Sequence, residues 1–250
     1  MRFSKNLLAR LLPRAVLACV VALQFGSTNA RPATPAAGDT SVTAIDILLL
    51  PDATMLQHSE ANNARLRKVF PKGFALDATH HPHISMIQRF VRTADLDKVY
   101  SAVAKVYAGT NVTAIKLEAF KYYYIPSKEI GLAGIVARPT PELLKLQADL
   151  ITAVTPFTVE TGTSAAFVTT PEDPVIDPLL IEYVSTFVPK ASGEHFNPHV
   201  TTGVALREYL DKMLTEPFEP FTFSPAGAAV YQLGQFGTAA KKLHTFDLKK

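Results

Sequence analysis

One stretch of this sequence occurs twice. His81-Pro82-His83-Ile84-Ser85 returns near the C-terminus as Asn197-Pro198-His199-Val200-Thr201, and each copy reads proline, histidine, β-branched aliphatic, hydroxyl. The likeness continues downstream, with Leu96-Asp97-Lys98-Val99 after the first copy and Leu210-Asp211-Lys212-Met213 after the second. Asp97 and Asp211 lie 14 and 12 residues beyond their histidines, so the copies differ by two residues of loop. Matched copies in matched surroundings point to a duplicated half-chain. That constrains the fold more than any other feature, because whatever unit carries one copy must be built twice.

Around the two copies, strand-like and helix-like stretches alternate. Residues 42–50 are β-branched and aliphatic, close at Pro51-Asp52, and read as a buried central strand. Residues 54–70 read as a helix stopped by Pro71-Lys72-Gly73. A strand over 83–91 follows, then an amphipathic helix capped by Thr93, with Leu96, Val99, Tyr100, Val103, Val106 and Tyr107 at three- and four-residue steps before Gly109. Strands are expected at 112–125 and 131–137. Thr140-Pro141-Glu142 then opens a helix with cap, first-turn proline and early carboxylate in their favoured places. Residues 155–173 read as loop or hairpin, Asp177-Pro178 caps a helix reaching 188, and 199–205 form the second motif strand. A short helix over 206–214 and strands at 221–234, broken at Pro225, and 241–248 close the chain. Each half thus runs helix, loop, motif strand, helix, paired strands. The expected fold is α+β and bilobal: two pseudo-symmetric lobes, each a small antiparallel sheet with outer helices, enclosing a cleft between them.

The 250 residues are enough for one large domain or two small lobes. The formal charge of +3 owes everything to Arg2, Lys5, Arg10 and Arg14; the residues after position 30 sum to −1. That excludes a bulk electrostatic grip on long nucleic acid. The four cations precede an apolar run over 15–25 and then Thr28-Asn29-Ala30, the order of a secretory signal peptide. Residues 1–30 are therefore expected to be removed on export to the periplasm or beyond, leaving a flexible linker over 31–41 and a single domain over 42–250. The alternative is a lipid anchor on Cys19, within Val16-Leu17-Ala18-Cys19. Cys19 is the one cysteine, so packing alone must hold the mature protein together. A monomer that stays off the membrane once the leader is gone is expected, since nothing later reaches transmembrane length.

Residues two apart on a strand share a face. His83 projects with Ser85, and His199 with Thr201. If the motif strands face each other, the cleft holds two imidazoles and two hydroxyls and no acidic group. Cleaving a phosphodiester needs a base for the attacking oxygen and an acid for the departing one, placed for in-line displacement. Histidine is the side chain whose ordinary pKa lets one copy be neutral and the other protonated near pH 7. The hydroxyls would donate to non-bridging phosphate oxygens as charge develops, and no metal is required. A pair in two protonation states is of little use to a pure binder, yet an exported protein that only binds nucleotide or phosphate is the alternative. Another is a metal cluster of His80, His81, His83, His195 and His199, although the spacing matches no zinc pattern and Asn197-Pro198 breaks any helix aligning His195 with His199. Tyr122 and Tyr124, on one strand face, and Phe196 either stack on a nucleobase or serve as core aromatics. Arg89, Lys121 and Lys190 are candidate phosphate-side charges. Gly131 and Gly134 mark a close approach of backbone or ligand, or a bulge.

The paired motifs resemble those of the two-histidine phosphoesterase superfamily, whose signature is a duplicated His-x-Thr/Ser on facing strands of a bilobal fold. The signature residues here are His83 with Ser85 and His199 with Thr201. The run Tyr231-Gln232-Leu233-Gly234, with a final strand to Leu248, is similar to the way such chains end. The resemblance covers most of residues 42–248. It implies a metal-independent hydrolase of small cyclic phosphodiesters, 2′,3′-cyclic nucleotides or RNA ends, with His83 and His199 catalytic and no cofactor. In some branches it implies 2′-5′ RNA ligase activity instead. The first motif carries Ser where Thr is commoner, which keeps the hydroxyl. The leader is the larger departure: an exported protein would not meet tRNA, and this leaves the substrate open.

Overall fold

The computed structural model describes residues 40–248; the expected leader, Cys19 and most of the expected linker lie outside them. The described residues form β1 (Val42–Pro51), α1 (Ala53–Val69), β2 (Ile84–Arg92), α2 (Leu96–Ala108), β3 (Leu117–Ser127), β4 (Ile130–Ala137), α3 (Pro141–Val154), β5 (Thr158–Val159), α4 (Pro178–Ala191), β6 (His199–Leu206), α5 (Arg207–Leu214), β7 (Phe221–Phe223), β8 (Pro225–Leu233) and β9 (Ala239–Phe246). The caps behave as their chemistry dictates. Thr140 Oγ1 accepts from the Leu143 amide, and Asp177 Oδ1 from that of Leu179. Thr93 does not cap α2. Its hydroxyl bonds to that of Thr43, and the chain enters α2 through a 3-10 turn. Residues 112–114 are also a 3-10 turn rather than the start of β3. Helix α4 runs on past Pro189 to Ala191.

The fold is α+β, with all strands antiparallel in the order β7-β3-β4-β6-β2-β1-β8-β9 and β5 against β2. One lobe carries β9-β8-β1-β2 and the other β7-β3-β4-β6. Their strand sets join at one place, where Ile84 of β2 pairs with Val200 of β6. These are the central residues of the two motifs, so the pseudo-two-fold axis of the duplication passes between them. Beneath the first lobe, Val99 and Val103 of α2 and Leu143, Leu146 and Leu150 of α3 share one buried cluster with Ile45, Ile47 and Ile87. Each such side chain, fully buried, is worth about 1.5–3 kcal/mol.

The duplication extends to irregularities that pattern alone does not reveal. Pairing of β1 with β2 skips Met86, passing from Ile87 to Ser85; pairing of β4 with β6 skips Thr202, passing from Gly203 to Thr201. Each motif strand therefore bulges one residue after its hydroxyl. Gly203 takes a φ of +150°, which a side-chain-bearing residue rarely adopts. A bulge leaves backbone polar groups without ladder partners, and here a buried amide satisfies each. Asn63 of α1 donates to the Thr202 carbonyl, and Gln147 of α3 to the Met86 carbonyl. Helix α1 belongs to the first half yet packs on β6 of the second; α3 belongs to the second and packs on β2 of the first. The two halves are thus exchanged through each other. Helix α4 has no counterpart in the first half. Leu180, Ile181 and Val184 set it against Phe90 and Ala44, on the sheet face opposite α2 and α3.

Candidate active site

The residue before each motif histidine is proline, and proline drives the residue ahead of it into an extended conformation. His81 and Asn197 are those residues. Their carbonyls accept from the imidazoles two positions on, His83 Nδ1 to His81 O at 2.6 Å and His199 Nδ1 to Asn197 O at 2.7 Å. A carbonyl can only accept, so both Nδ1 atoms carry the proton and both rings offer Nε2 for chemistry. His83, Ser85, His199 and Thr201 line one cleft of about 490 Å³. Leu132 of β4 and Tyr123 and Ile125 of β3 form one wall; Leu179, Leu180, Tyr183 and Phe187 of α4 form the cover; Gln235, Phe236 and Gly237 close the end. The sequence brings both histidines and both hydroxyls to one place.

The expectation of a cleft without an acidic group is corrected: Asp177 lines the cleft, and a second carboxylate lies buried behind His83. Asp46, in the middle of β1, is wholly buried, and its Oδ2 lies 3.4 Å from His83 Nε2. The same oxygen accepts from the Ser85 hydroxyl and from Gln88 Nε2 at 2.9 Å, while Gln88 Nε2 also reaches Ser85 Oγ at 3.2 Å. The Met86 bulge puts Ser85 and Gln88, three residues apart, on one face. Read as an all-apolar central strand, β1 hides this carboxylate. The signal was present: Asp46 is the one charged residue between Val42 and Leu50, and a buried charge needs a partner.

The two imidazoles are electrically unlike. Burial opposes charge on His83, but the hydrogen-bonding and negative charge of Asp46, with help from the His81 carbonyl, outweigh it and hold the pKa above the ordinary value. Burial lowers the pKa of His199. The Asn197 carbonyl and the more distant Asp46 pull upward and the charge of His83 pushes downward, leaving it below the ordinary value. Ser85 differs from Thr201 as well. Its single proton goes to Asp46, so it has none left for a phosphate in this arrangement, whereas Thr201 Oγ1 has no hydrogen-bond partner among the described residues.

The candidate aromatic contacts are redistributed. Tyr122 and Tyr124 do share a face, but it is the one turned away from the cleft. Tyr122 packs on Phe218 beneath the Arg65 guanidinium, and the Tyr124 hydroxyl donates to Asp211. Tyr123, between them, faces the cleft with its ring centroid 5.0 Å from that of His199, and burial pushes its phenol up to about 12. Phe196 lines the cleft while also joining the core. Of the candidate cations only Lys190 reaches the cleft, paired with Glu182; Arg89 donates to Thr158, and Lys121 sits over Phe120. A side chain on Gly134 would meet the Val200 carbonyl at 2.9 Å, so this glycine serves close approach of β4 to the second motif. Gly131 makes room for Tyr124 and Leu210. His80 stacks on Phe74 between Asp77 and Asp173, His81 lies edge-on to Tyr231, and His195 lines the cleft. Among the described residues no group of three or more His, Cys, Asp or Glu is gathered as for a metal ion.

No family model matches the chain and no curated protein does. Among solved structures it is similar to E. coli LigT complexed with 3′-AMP, at 11% identity, covering 84% of this chain and 100% of that one with a TM-score of 0.44. It is similar to a protein described as a phosphoesterase at 10% identity, covering 84% and 100% with a TM-score of 0.43. It is also similar to Kluyveromyces marxianus Usb1 at 10% identity, covering 82% and 99% with a TM-score of 0.41. At such identities and TM-scores the likeness says nothing about the chemistry of this cleft.

Proposed function

We propose that the protein is a phosphodiesterase acting on small cyclic phosphodiesters, 2′,3′-cyclic nucleotides or short RNA ends, with one motif histidine as general base toward water and the other as general acid toward the departing sugar oxygen. The observation that carries the reading is the pair of imidazoles on neighbouring strands, locked in the same tautomer and offering Nε2 to one cleft. Diagonal neighbours across an antiparallel pair stand close enough for both to reach a small group held between them. The volume of about 490 Å³ suits a ligand of mononucleotide size. Tyr123 and Tyr183 supply ring surface beside the histidines, and the scarcity of cations argues against a ligand with many phosphates. Thr201 is the hydroxyl free to donate to phosphate. The leader-like order of residues 1–30 supports export of this activity, and N-terminal sequencing of the exported protein should begin at Arg31.

The test is a product assay with chelator present on a panel of 2′,3′- and 3′,5′-cyclic nucleotides. Hydrolysis is expected, and His83→Ala or His199→Ala should each lose about 10²–10⁴ in turnover without loss of folding. Near-full activity in both variants would remove the assignment. Tight binding of an unchanged cyclic nucleotide, read by calorimetry, would make the protein a binder instead.

A further inference from the structure

We infer that Asp46 is the positioning residue that makes His83 the proton donor of the pair and leaves His199 the acceptor. This deepens the phosphodiesterase reading and rests on it. The duplicated halves of the molecule supply the comparison. The pseudo-two-fold axis maps Ser85 onto Thr201 and the Met86 bulge onto the Thr202 bulge. Counting outward from the bulges, Ile47 opposite Ile87 corresponds to Ala133 opposite Gly203, and Asp46 opposite Gln88 corresponds to Leu132 opposite Val204. The backbone is duplicated and the chemistry is not: a carboxylate and an amide support His83, and the matching register positions of the other lobe carry Leu132 and Val204.

That difference decides the protonation states. His83 Nδ1 is committed to a carbonyl, so a neutral ring would leave the lone pair of Nε2, which opens on the cleft, only 3.4 Å from Asp46 Oδ2. Two acceptors facing each other in a buried site repel, and a proton on Nε2 turns the repulsion into an ion pair. Asp46 needs that cation. Its Oδ1 is buried with no hydrogen-bond partner, and its Oδ2 is served by neutral donors from Ser85 and Gln88. A buried carboxylate without a countercharge is strongly disfavoured. The other titratable groups near His83 do not compete for the role. Tyr183 on α4 and Tyr123 on β3 are phenols kept neutral by burial. His81 and His199 are held below the ordinary imidazole value. Asp177, further along the cleft, caps α4, and Lys190 pairs with Glu182.

The step balances. His199 Nε2 takes a proton from water as the water oxygen bonds to phosphorus. The proton on His83 Nε2 passes to the sugar oxygen as the phosphorus–oxygen bond breaks. Solvent restores both histidines.

The test uses the mature chain and reads histidine ring resonances against pH, with His83→Ala and His199→Ala assigning the signals. His83 should titrate above about 6.5 and His199 below it, and Asp46→Asn should lower the His83 midpoint by about one unit or more. Coincident or reversed midpoints, or no movement in Asp46→Asn, would overturn the inference. Kinetics give a second reading. Asp46→Asn should lose about tenfold or more on a cyclic nucleotide, whose leaving oxygen needs a proton, and much less on a p-nitrophenyl phosphodiester, whose leaving group does not. Equal loss on both would mean a merely structural role. Should Asp46→Asn fail to fold, the unaltered chain decides, since His199 titrating above His83 overturns the assignment. If the unaltered chain hydrolyses neither substrate, the phosphodiesterase reading falls, and the titration alone decides whether Asp46 keeps the proton on His83.

Discussion

The hydroxyls of the two motifs stand in different hydrogen-bonding states, and this separates their effects on rate. Thr201 Oγ1 is free to donate to a non-bridging oxygen, so Thr201→Val should lower kcat by about 10²–10³, the usual effect of removing one such donor. Ser85 serves Asp46. Ser85→Ala should cost less in kcat but shift the alkaline limb of the pH–rate profile upward, because a carboxylate relieved of one donor holds the His83 proton more tightly. With the His199 pKa lowered and that of His83 raised, the productive pair of states is the majority form between the two values. Turnover should therefore rise with pH through a limb below about 6.5, stay level, and fall through a limb above it, as a plot of kcat/KM against pH would show. Stability follows the same sign. The His83 pKa is raised in the folded protein, so its ion pair contributes fully below the unfolded value of about 6.5 and is lost as pH rises through the folded value. The difference in urea unfolding between the unaltered protein and Asp46→Asn should therefore favour the unaltered protein most below about 6.5 and shrink as pH rises through the His83 midpoint.

At the level of elements, the bulges are the features most exposed to mutation. Asn63 and Gln147 each donate to a bulge carbonyl from a helix of the opposite half, and both side chains are buried. Removing either amide orphans a buried carbonyl. Asn63→Ala and Gln147→Ala should each cost about 1–3 kcal/mol in denaturant unfolding. They should also reduce kcat, since Met86 and Thr202 immediately follow the motif hydroxyls. The helices and strands were largely legible because apolar spacing and caps such as Thr140 and Asp177 are local signals. The bulges were not, because a skipped residue is defined by the strand opposite. Tyr123 illustrates the same limit. Alternation showed that Tyr122 and Tyr124 share a face, but which face meets the cleft depends on where α1 and α5 lie, and that is set by residues far along the chain.

For the whole molecule, duplication does not mean two independent lobes. Helix α1 is bound to β6 and α3 to β2, so neither half can bury its core without the other. Unfolding should be a single cooperative transition, with calorimetric and van't Hoff enthalpies agreeing. Two resolved transitions would show that the exchange of helices couples the halves only weakly. Helix α4, which has no symmetry mate, covers the cleft and makes its two ends different.

By itself the sequence determined that a unit is built twice around His83 and His199, that each imidazole follows a proline, and that each is accompanied by a hydroxyl; these are properties of neighbours in the chain. Only the tertiary structure decided that Asp46 lies against His83 while Leu132 holds the matching register position in the other lobe, that Ser85 gives its proton to Asp46, and that Tyr123 faces the cleft. The reason is physical. A carboxylate acts on an imidazole through distance and burial, and across strands both are set by register, which no short stretch of sequence contains.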